Sequence, residues 1–400
     1  MNGSTVDLDD FRQQVRAFFD AAVTDEFKET SRKSTSIFTP FEPVMKWQKI
    51  LYDKGWLVPS WPEEYGGTGW SAGQQTVYAQ EYKRAQAPSL LPHAVSMLGP
   101  CLYHLGTDEQ KKERLPGMLS GEHFYAQGYS EPGAGSDLAA LKTRAVSDGD
   151  DYIINGSKIW SSYAHKANRM FMLVRTSTEG KKQAGISFLL VDDMSAPGII
   201  VRPIVGLDGA EEQCEVFFEN ARVPKKNLIG KENEGWFVAK FLLQFERGAI
   251  GDSSGDDLFG VLKQMAEQTS SPHGGMIIDD PAFQVKLGKM RVKAQSLSLL
   301  SRKVSTATSE VAGRTASVLK IIGGELMQQI TETRLELAGL DALPHQSEAI
   351  QVGSTAEEIG PEWALTTMPL YLNTRATTIY GGSNEIQKDI IAKTILQLPA

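Results

Sequence analysis

Apolar residues recur at helical spacing over the first third of the chain. Phe11, Val15 and Phe19 lie four residues apart, and a second stretch repeats the pattern with Met45, Trp47, Ile50, Leu51 and Trp56. Residues spaced by three and four share one face of an α-helix. The pattern therefore predicts a helical N-terminal domain over residues 1–122.

The pattern changes after residue 122, where short β-branched and aromatic runs alternate with turn residues. The runs are YII at 152–154, MFMLV at 170–174, ISFLLV at 186–191, IIV at 199–201 and EVFF at 215–218. Runs of this kind, bounded by turn residues, are typical of strands. We therefore predict a middle β-domain over residues 123–232.

Helical spacing returns over residues 233–400. One stretch carries Phe283, Leu287, Met290 and Val292, and another carries Leu319, Ile322, Leu326 and Ile330. Strands gathered between two helical regions are typical of the α+β class, which is the predicted fold class.

Composition limits the functions open to this chain. Its 400 residues with 41% hydrophobic content can bury a sizeable core, and a net charge of -8 without a basic block gives nucleic acid little to bind. Cys101 and Cys214 are far apart in sequence, which argues against a disulfide scaffold or a cysteine metal site. There is no apolar run near the roughly 20 residues of a membrane span and no signal-peptide pattern, so we expect a cytoplasmic protein.

The segment YAQGYSEPGAGSD at residues 125–137 is the strongest candidate for a ligand loop. Its glycines let backbone approach a large ligand, Pro132 pre-sets a turn, and Ser130 and Ser136 offer hydroxyls. An ordinary turn is the simpler explanation of a Gly-Pro cluster taken alone. The segment YIINGSKIWSS at 152–162 changes that balance, because it adds a hairpin-like stretch with an aromatic residue and hydroxyls.

In this order the two segments closely resemble the acyl-CoA dehydrogenase family, whose middle domain carries an EPGAGSD loop and then an NGxKxW strand pair. Other family signatures are matched by WPEEYGGTG at 61–69, NLIG at 227–230 and YGGSNEIQ at 380–387. The resemblance covers nearly the whole chain. It implies a helical N-terminal domain, a middle β-domain, a C-terminal four-helix bundle, an FAD cofactor, and α,β-dehydrogenation of an acyl-CoA thioester to the trans-2-enoyl-CoA with flavin N5 as hydride acceptor.

This reaction needs a carboxylate base for the α-proton, and an apolar pocket raises the pKa of a carboxyl toward working pH. Many family members place the base directly after the tyrosine of the C-terminal signature, where this chain has Gly381. Others use a Glu-Arg pair after the β-domain, which Glu246 and Arg247 match. Residues 239, 242, 243, 249 and 250 are apolar and lie three, four or seven positions from Glu246, so its side chain is predicted on an apolar face. A buried structural ion pair is the other interpretation of this glutamate.

The resemblance also implies the flavin contacts, position by position. Gln127, Tyr129 and Ser130 match residues that line the flavin ring from one side in the family. Trp160 and Ser162 match those on the other side.

The remaining site residues come from the C-terminal signature and the glycine-rich loop. Ser383 and Glu385 match C-terminal FAD contacts, and Ser136 matches a serine that touches CoA. Arg247 is a candidate substrate contact. The backbone N–H of Gly381 matches the donor that hydrogen-bonds the thioester carbonyl and stabilises enolate-like charge.

Two features of the family are missing. Its Arg-x-x-Phe-Gly segment, which reaches FAD across a dimer interface, has no match, and LELAGLD at 335–341 stands in place of its Gln-x-x-Gly-Gly turn. Phe259-Gly260 is preceded by Asp256 and Asp257, which together with Asp252 would repel a diphosphate. The sequence therefore does not predict what replaces this half of the FAD site.

These departures resemble a subgroup that includes pimeloyl-CoA dehydrogenase large subunits and the paired dehydrogenases of sterol side-chain degradation. Members of the subgroup often form mixed α2β2 assemblies. We therefore expect an oligomer, either a homodimer or homotetramer or a heterotetramer with a related subunit. An electron-transferring flavoprotein is the electron acceptor that the resemblance implies.

Other functions fit the sequence less well. A nicotinamide fingerprint would need a third glycine where Leu138 stands, followed by a helix. The motifs of P-loop nucleotide hydrolases, zinc proteases and serine hydrolases do not occur. Two alternatives stay open: a non-catalytic or half-site subunit of a mixed acyl-CoA dehydrogenase complex, and a flavin oxidoreductase for a non-CoA substrate. Glu246 favours a catalytic chain.

Overall fold

A computed structural model of the chain describes residues 7–36, 40–251, 256–305 and 309–398. For the helical residues 246–251, 256–258, 304–305 and 309–314 it describes the backbone only. The chain forms two compact units. The first contains Met1–Ile204, Glu212–Ala239 and Gln351–Gly353, and the second contains Val205–Glu211, Lys240–Ile350 and Ser354–Ala400.

The N-terminal part of the first unit is helical, as the spacing of apolar residues predicts. Its α-helices are α1 (Leu8–Ala22), α2 (Asp25–Arg32), α3 (Phe41–Lys54), α4 (Ala72–Arg84), α5 (Gly99–Leu105) and α6 (Asp108–Ser120). Capping boxes start α4 and α6, where Ser71 and Thr107 each accept a hydrogen bond from the backbone of a glutamine three residues on. Buried aromatic side chains, including Phe19 and Trp47, fill the space between the helices.

A six-residue π-helix, His93–Leu98, leads into α5. The indole N–H of Trp61 donates to the carbonyl of Val95 over 3.2 Å, which satisfies one backbone acceptor inside this segment. Gly99 follows, and a Cβ at that position would lie 2.2 Å from the Trp61 ring. The close approach of the indole therefore requires glycine here.

A mixed sheet forms the rest of the first unit. Within the described residues its eight strands are β1 (Tyr125–Gly128), β2 (Arg144–Asp148), β3 (Asp151–Lys158), β4 (Arg169–Arg175), β5 (Ile186–Val191), β6 (Ile199–Ile204), β7 (Gln213–Pro224) and β8 (Leu228–Ile229). They are ordered β6-β7-β3-β2-β4-β5-β8, and β1 pairs in parallel with β4. Each apolar run predicted to form a strand lies in one.

Two central strands, β4 and β5, are buried on both faces. On one face Met170 and Met172 join the main β-core. On the other, Phe171 stacks on Phe188 with ring centroids 5.9 Å apart. Double-sided burial explains why these two strands are near-continuous apolar runs rather than alternating ones.

The C-terminal part of the chain is again helical, with α7 (Gly235–Gly251), α8 (Asp256–Gln268), α9 (Pro281–Ser305), α10 (Ser309–Ala338), α11 (Ala364–Thr374) and α12 (Asn384–Thr394). Helix α10 packs against α8, α9, α11 and α12. Phe283 and Met290 of α9 join this core, as predicted, but Val292 is 63% exposed. It does not belong to the buried row because it lies two residues from Met290, on another side of the helix.

The predicted α+β class, with a helical N-terminal part, a middle sheet and a helical C-terminal part, is confirmed. The predicted boundaries at residues 122 and 232 stay a prediction. Among the described residues, no helix is both long and apolar enough to cross a bilayer.

Glu81 of α4 is a buried carboxylate that holds α1 and α4 together. It accepts hydrogen bonds from Arg12, Arg16 and Arg84, and hydrogen bonds from these arginines, that of Arg16 foremost, lower its pKa to about 2. An unfolded glutamate titrates near pH 4.3. The folded state therefore gains stability from this carboxylate above that pH and loses it as the pH falls toward 2.

Replacing Glu81 by Gln is expected to lower the free energy of unfolding by about 2–3 kcal/mol at pH 7, because three arginines lose their shared anion. Urea unfolding at pH 7 and at pH 3 measures the effect, and the difference between variant and wild type should shrink at pH 3. Exposed Glu64 has no hydrogen bond or ion pair among the described residues, so Glu64→Gln is the control. If Glu81→Gln and wild type were equally stable at pH 7, the ionised Glu81 carboxylate would not stabilise the fold as proposed.

Candidate active site

The first predicted flavin segment runs from strand β1 into the glycine-rich loop. Gln127 pairs with Phe171 of β4 in the sheet and is half-buried. Tyr129 is buried, and its ring packs edge-on against Phe171 and Phe188, with centroids 6.0 and 6.4 Å away. Ser130 follows and is half-buried. The packed aromatic rings fix the direction in which this segment leaves the sheet.

The second predicted segment leaves the end of β3. Trp160 has a left-handed backbone, with φ of 61°, and its side chain is 59% exposed. A bulky residue in this conformation is strained, and such strain concentrates at functional sites. Ser162 is buried, and its hydroxyl exchanges hydrogen bonds of 3.1–3.2 Å with the Gln213 amide. The Trp160 side chain therefore presents a flat aromatic surface to solvent.

The structure brings these two segments together. The N–H of Ile159 donates to the carbonyl of Ser130 over 3.0 Å, which joins the residue before Trp160 to the loop after β1. Ser161 and Cys214 then exchange two backbone hydrogen bonds of 3.0 and 3.1 Å. The residues predicted on both sides of the flavin therefore lie on neighbouring segments, although Gln127 and Ser162 are far apart in sequence.

The glycine-rich loop between them is a tight turn. Glu131 and Ala134 exchange backbone hydrogen bonds of 3.1 and 3.0 Å across it. A Cβ placed on Gly133 or Gly135 would meet no other atom within 4 Å, and neither glycine has a left-handed backbone. The fold itself does not require glycine at these two positions. They leave open space beside Ser136, which is exposed.

One pair of charged residues at this site was not predicted. Lys158 at the end of β3 is fully buried, and its Nζ donates to Glu131 Oε1 over 2.8 Å. Alternation along β3 offers a signal that could have found it, because Tyr152 and Ile154 face the core and Lys158 shares their parity. A lysine at an inward position of a strand needs a buried anion, and the glycine-rich loop supplies it.

The C-terminal signature forms the turn before α12. Gly381 and Gly382 have left-handed backbones, with φ of 63° and 87°, which explains two successive glycines. Among the residues that the structure describes, none accepts a hydrogen bond from the Gly381 N–H. The Gln387 amide donates to the carbonyls of Gly381 and Gly382 and holds the turn in place.

The other two predicted residues of this signature start the helix. Ser383 caps α12 by accepting a hydrogen bond from the N–H of Ile386 over 3.4 Å. Glu385 is exposed in the first turn, where a backbone hydrogen bond lowers its pKa. A carboxylate at this end of a helix is favourable for the helix, so Glu385 has a structural role that needs no flavin contact.

Glu246 and Arg247 lie in α7, but their side chains fall outside the described residues. The described part of the helix bears on the prediction. Ala239 and Leu242, seven and four positions before Glu246, are 1% and 0% exposed, and Leu243 is half-buried. In the two helical turns before Glu246, the face of α7 on which helical spacing places this residue is therefore apolar.

Two basic side chains of the C-terminal helices are buried without an ion-pair partner among the described residues. Lys320 is 1% exposed and donates to Asn384 Oδ1 over 3.4 Å, and Arg334 is 6% exposed and donates to the Thr366 hydroxyl over 3.2 Å. Burial lowers the pKa of both, that of Arg334 to about 10. Both residues belong to the C-terminal helices, the part of the chain in which the family's Arg-x-x-Phe-Gly segment has no match. Asp252 lies outside the described residues.

Comparison with known proteins gives the family. The acyl-CoA dehydrogenase N-terminal domain matches residues 5–122, the middle domain matches residues 126–221, and the C-terminal domain matches residues 233–396. The chain belongs to the acyl-CoA dehydrogenase family. Acyl-CoA dehydrogenase IpdE1 of Mycobacterium tuberculosis is 33% identical to it over 98% of this chain and 98% of that relative. The predicted family and enzyme class are confirmed, and the chain is an oxidoreductase of this family.

Solved structures of the family agree with the predicted subgroup. A structure described as the ChsE4-ChsE5 complex from Mycobacterium tuberculosis has a TM-score of 0.78 at 30% identity, covering 100% of this chain and 99% of that chain. A structure described as the Tcur3481-Tcur3483 steroid ACAD has a TM-score of 0.80 at 29% identity and covers both chains in full. The similarity therefore lies with sterol-type acyl-CoA dehydrogenases.

Proposed function

We propose that this acyl-CoA dehydrogenase binds FAD and converts an acyl-CoA thioester to the trans-2-enoyl-CoA. The observation that carries the proposal is the convergence of residues 127–130 and 160–162 on one site, joined by the hydrogen bond from Ile159 to Ser130. Both segments match flavin-binding positions of the family. The acyl group that we propose is a fatty acid or a sterol side chain, and the similar structure described as a steroid ACAD supports the second.

The residues present fit a flavin. Trp160 offers an exposed ring on strained backbone, and Gln127 offers an amide. The buried Ser162 hydroxyl already donates to Gln213 and can only accept a further hydrogen bond. A large planar ring with polar edges needs this combination of flat apolar contact and hydrogen-bonding groups at its rim. The open space at Gly133 and Gly135 gives room for the CoA portion beside Ser136, which we propose as its contact.

Glu246 is the proposed base. The carboxylate takes the α-proton of the acyl-CoA, and an apolar face favours this step because it raises the pKa of the carboxyl and so strengthens the base. The Gly381 N–H donates to the thioester carbonyl oxygen and stabilises the negative charge that develops there. Arg247 is the proposed substrate contact beside the base. FAD, when bound, would supply the hydride acceptor for the β-hydrogen at flavin N5, and an electron-transferring flavoprotein is the proposed electron acceptor.

The remaining proposed FAD contacts, Ser383 and Glu385, stand at the start of α12. Helix N-termini favour anionic groups, and Ser383 presents a hydroxyl there. Glu385 fits this role poorly, since its carboxylate is ionised and would repel a phosphate. Lys320, whose pKa is lowered by burial and raised by Glu385, is the nearby positive charge.

Cofactor reconstitution tests the proposal. We expect the purified chain, alone or with a partner subunit, to be yellow or to become yellow when FAD is added and excess is removed. The flavin should bind noncovalently and be released intact by denaturation. A folded preparation that retains no FAD in either form would remove the flavoprotein assignment.

We further propose that the chain works in an assembly with a related subunit. The family's Arg-x-x-Phe-Gly segment has no match here, and the similar ChsE4-ChsE5 structure is described as a complex. A partner chain could then complete the diphosphate part of the FAD site. This half-site arrangement keeps the reaction on this chain through Glu246.

Mass and flavin stoichiometry measure this assembly. We expect the chain alone to be at least a dimer and to carry less than one FAD per chain, because the diphosphate lacks its usual arginine. Native mass spectrometry with flavin absorbance gives both numbers from one sample. One FAD per chain in a homo-oligomer of this protein would show that no partner is needed.

A further inference from the structure

The buried ion pair between Lys158 and Glu131 lies at the crossing of the two cofactor segments. Lys158 is 0% exposed and ends β3, two residues before Trp160. Its Nζ donates to Glu131 Oε1 over 2.8 Å and to the Tyr129 carbonyl over 3.3 Å. These two partners flank Ser130. The Lys158 ammonium group therefore binds the residues before and after Ser130, whose carbonyl accepts the hydrogen bond from Ile159.

Glu131 has a full set of partners as well. Its two carboxylate oxygens accept backbone N–H hydrogen bonds from Lys142 over 2.6 Å and from Thr143 over 2.9 Å, in addition to Lys158. Burial raises the pKa of this carboxyl, but the charge of Lys158 and the hydrogen bonds together lower it by more. The net shift is therefore downward. Through this one ionised carboxylate, the glycine-rich loop is thus tied to residues 142–143 and to the end of β3.

Stability alone does not explain such a pair. Taking two charges out of water costs several kcal/mol per ion, and well-packed apolar residues of similar size often stabilise a fold equally or better. A buried pair with every polar atom bonded instead gives orientation, because its geometry admits few alternatives. This pair lies between the glycine-rich loop and the end of β3, so these are the two segments that it orients.

We propose that Lys158 and Glu131 are positioning residues that fix the glycine-rich loop against the Trp160 segment, and so shape the surface that receives the flavin. This inference rests on the proposed function. Lys158 pulls the Tyr129 carbonyl and Glu131 toward the end of β3, and the Ser130 carbonyl then meets the Ile159 N–H. Trp160 follows directly with its strained backbone. Both side chains are buried, so we assign them a positioning role and not a cofactor contact.

The test compares Lys158→Met, Glu131→Gln and the double variant with wild type. Each single variant leaves one buried charge unpaired, so its melting temperature should fall. The double variant removes both charges and should recover much of that stability. If the pair positions the loop, FAD dissociation constants measured by tryptophan fluorescence quenching should stay raised about tenfold or more in the double variant, with a shifted visible flavin spectrum.

Glu81→Gln is the matched control. It removes a buried, ion-paired carboxylate from the first unit, and that carboxylate lies between α1 and α4. The variant should therefore lower the melting temperature and leave FAD affinity and spectrum unchanged. Wild-type FAD affinity and spectrum in a double variant of recovered stability would overturn the proposal and leave the pair a structural one. If wild type itself binds no FAD, the proposed function fails instead.

The FAD affinity of the wild-type protein, measured at several pH values, gives a second test. It does not depend on whether any variant folds. Burial lowers the pKa of Lys158 to about 8, opposed by Glu131, while the charge of Arg175 lowers it too. As pH rises through 8, Lys158 loses its proton and the loop loses its tie, so FAD should bind more weakly at pH 9 than at pH 7. The same FAD affinity at both pH values would contradict the proposal.

Discussion

Replacing Glu246 by Gln is expected to slow flavin reduction by an acyl-CoA about 10²–10⁴-fold while FAD content stays unchanged. The amide keeps the size and hydrogen-bonding capacity of the side chain but cannot take the α-proton. Substrate binding should therefore persist, and only the bond-breaking step should slow. Stopped-flow absorbance at the flavin band, under anaerobic conditions and with substrate in excess, measures this rate directly.

Glu267→Gln is the control for this experiment. Glu267 is an exposed carboxylate on α8 that pairs only with Lys263 among the described residues, so its loss should leave the reduction rate at the wild-type value. A near-normal rate in Glu246→Gln with FAD still bound would place the base on another residue. Glu246 would then be the structural ion-pair residue that the sequence also allows.

Trp160→Gly should separate fold stability from cofactor binding. The wild-type side chain is 59% exposed and its backbone is left-handed, a conformation that costs a non-glycine residue about 1–2 kcal/mol. Glycine removes that strain, so the free energy of unfolding of the apoprotein should not fall. Loss of the aromatic surface should weaken FAD binding by roughly 5- to 150-fold, as expected for a lost stacking contact of about 1–3 kcal/mol.

Trp160→Phe tests the same contact with the aromatic ring kept. It retains both the strain and part of the stacking surface, so its stability should match wild type and its FAD affinity should lie between the other two. Urea unfolding of the apoproteins and equilibrium dialysis with FAD give the two quantities. A Trp160→Gly protein that is much less stable, with FAD affinity unchanged, would make this tryptophan a structural residue.

Much of the fold follows from the apolar pattern, because burial imposes the period of each element. The runs at 170–174 and 186–191 predict β4 and β5, and their lack of alternation is explained by burial on both faces. Val292 shows the limit of this reasoning. An apolar residue is allowed on a surface, so its presence near a helical row does not place it in the core.

The sequence motifs could predict that the two candidate flavin segments belong to one site, and their roles as flavin contacts stay a prediction. Motif positions 127–130 and 160–162 are brought together as expected. The Lys158 and Glu131 pair was not predicted, because a charged residue inside a motif is easily assigned to the surface. Only the parity of β3 reveals that Lys158 points inward. The strained backbone of Trp160 could not be predicted either, since it depends on contacts between distant segments.

Glu246 illustrates the opposite case. The sequence alone supplies its main support, through the apolar residues at helical spacing around it, and buried Ala239 and Leu242 agree with that pattern in the described part of α7. What periodicity cannot supply is the ionisation state of the carboxyl. The ionisation state depends on the contacts of the side chain itself. A kinetic measurement therefore tests the role of Glu246 as a base more directly than its position on the helix does.

Anaerobic titration of the FAD-loaded protein with acyl-CoA thioesters tests the central claim most directly. The panel should include straight-chain, branched and sterol side-chain substrates, with and without a candidate partner subunit, and the products should be identified by mass. We expect at least one thioester to bleach the flavin band and to yield its 2-enoyl-CoA, one per flavin reduced. A protein that holds FAD reducible by dithionite, but that no thioester in the panel reduces, would contradict it.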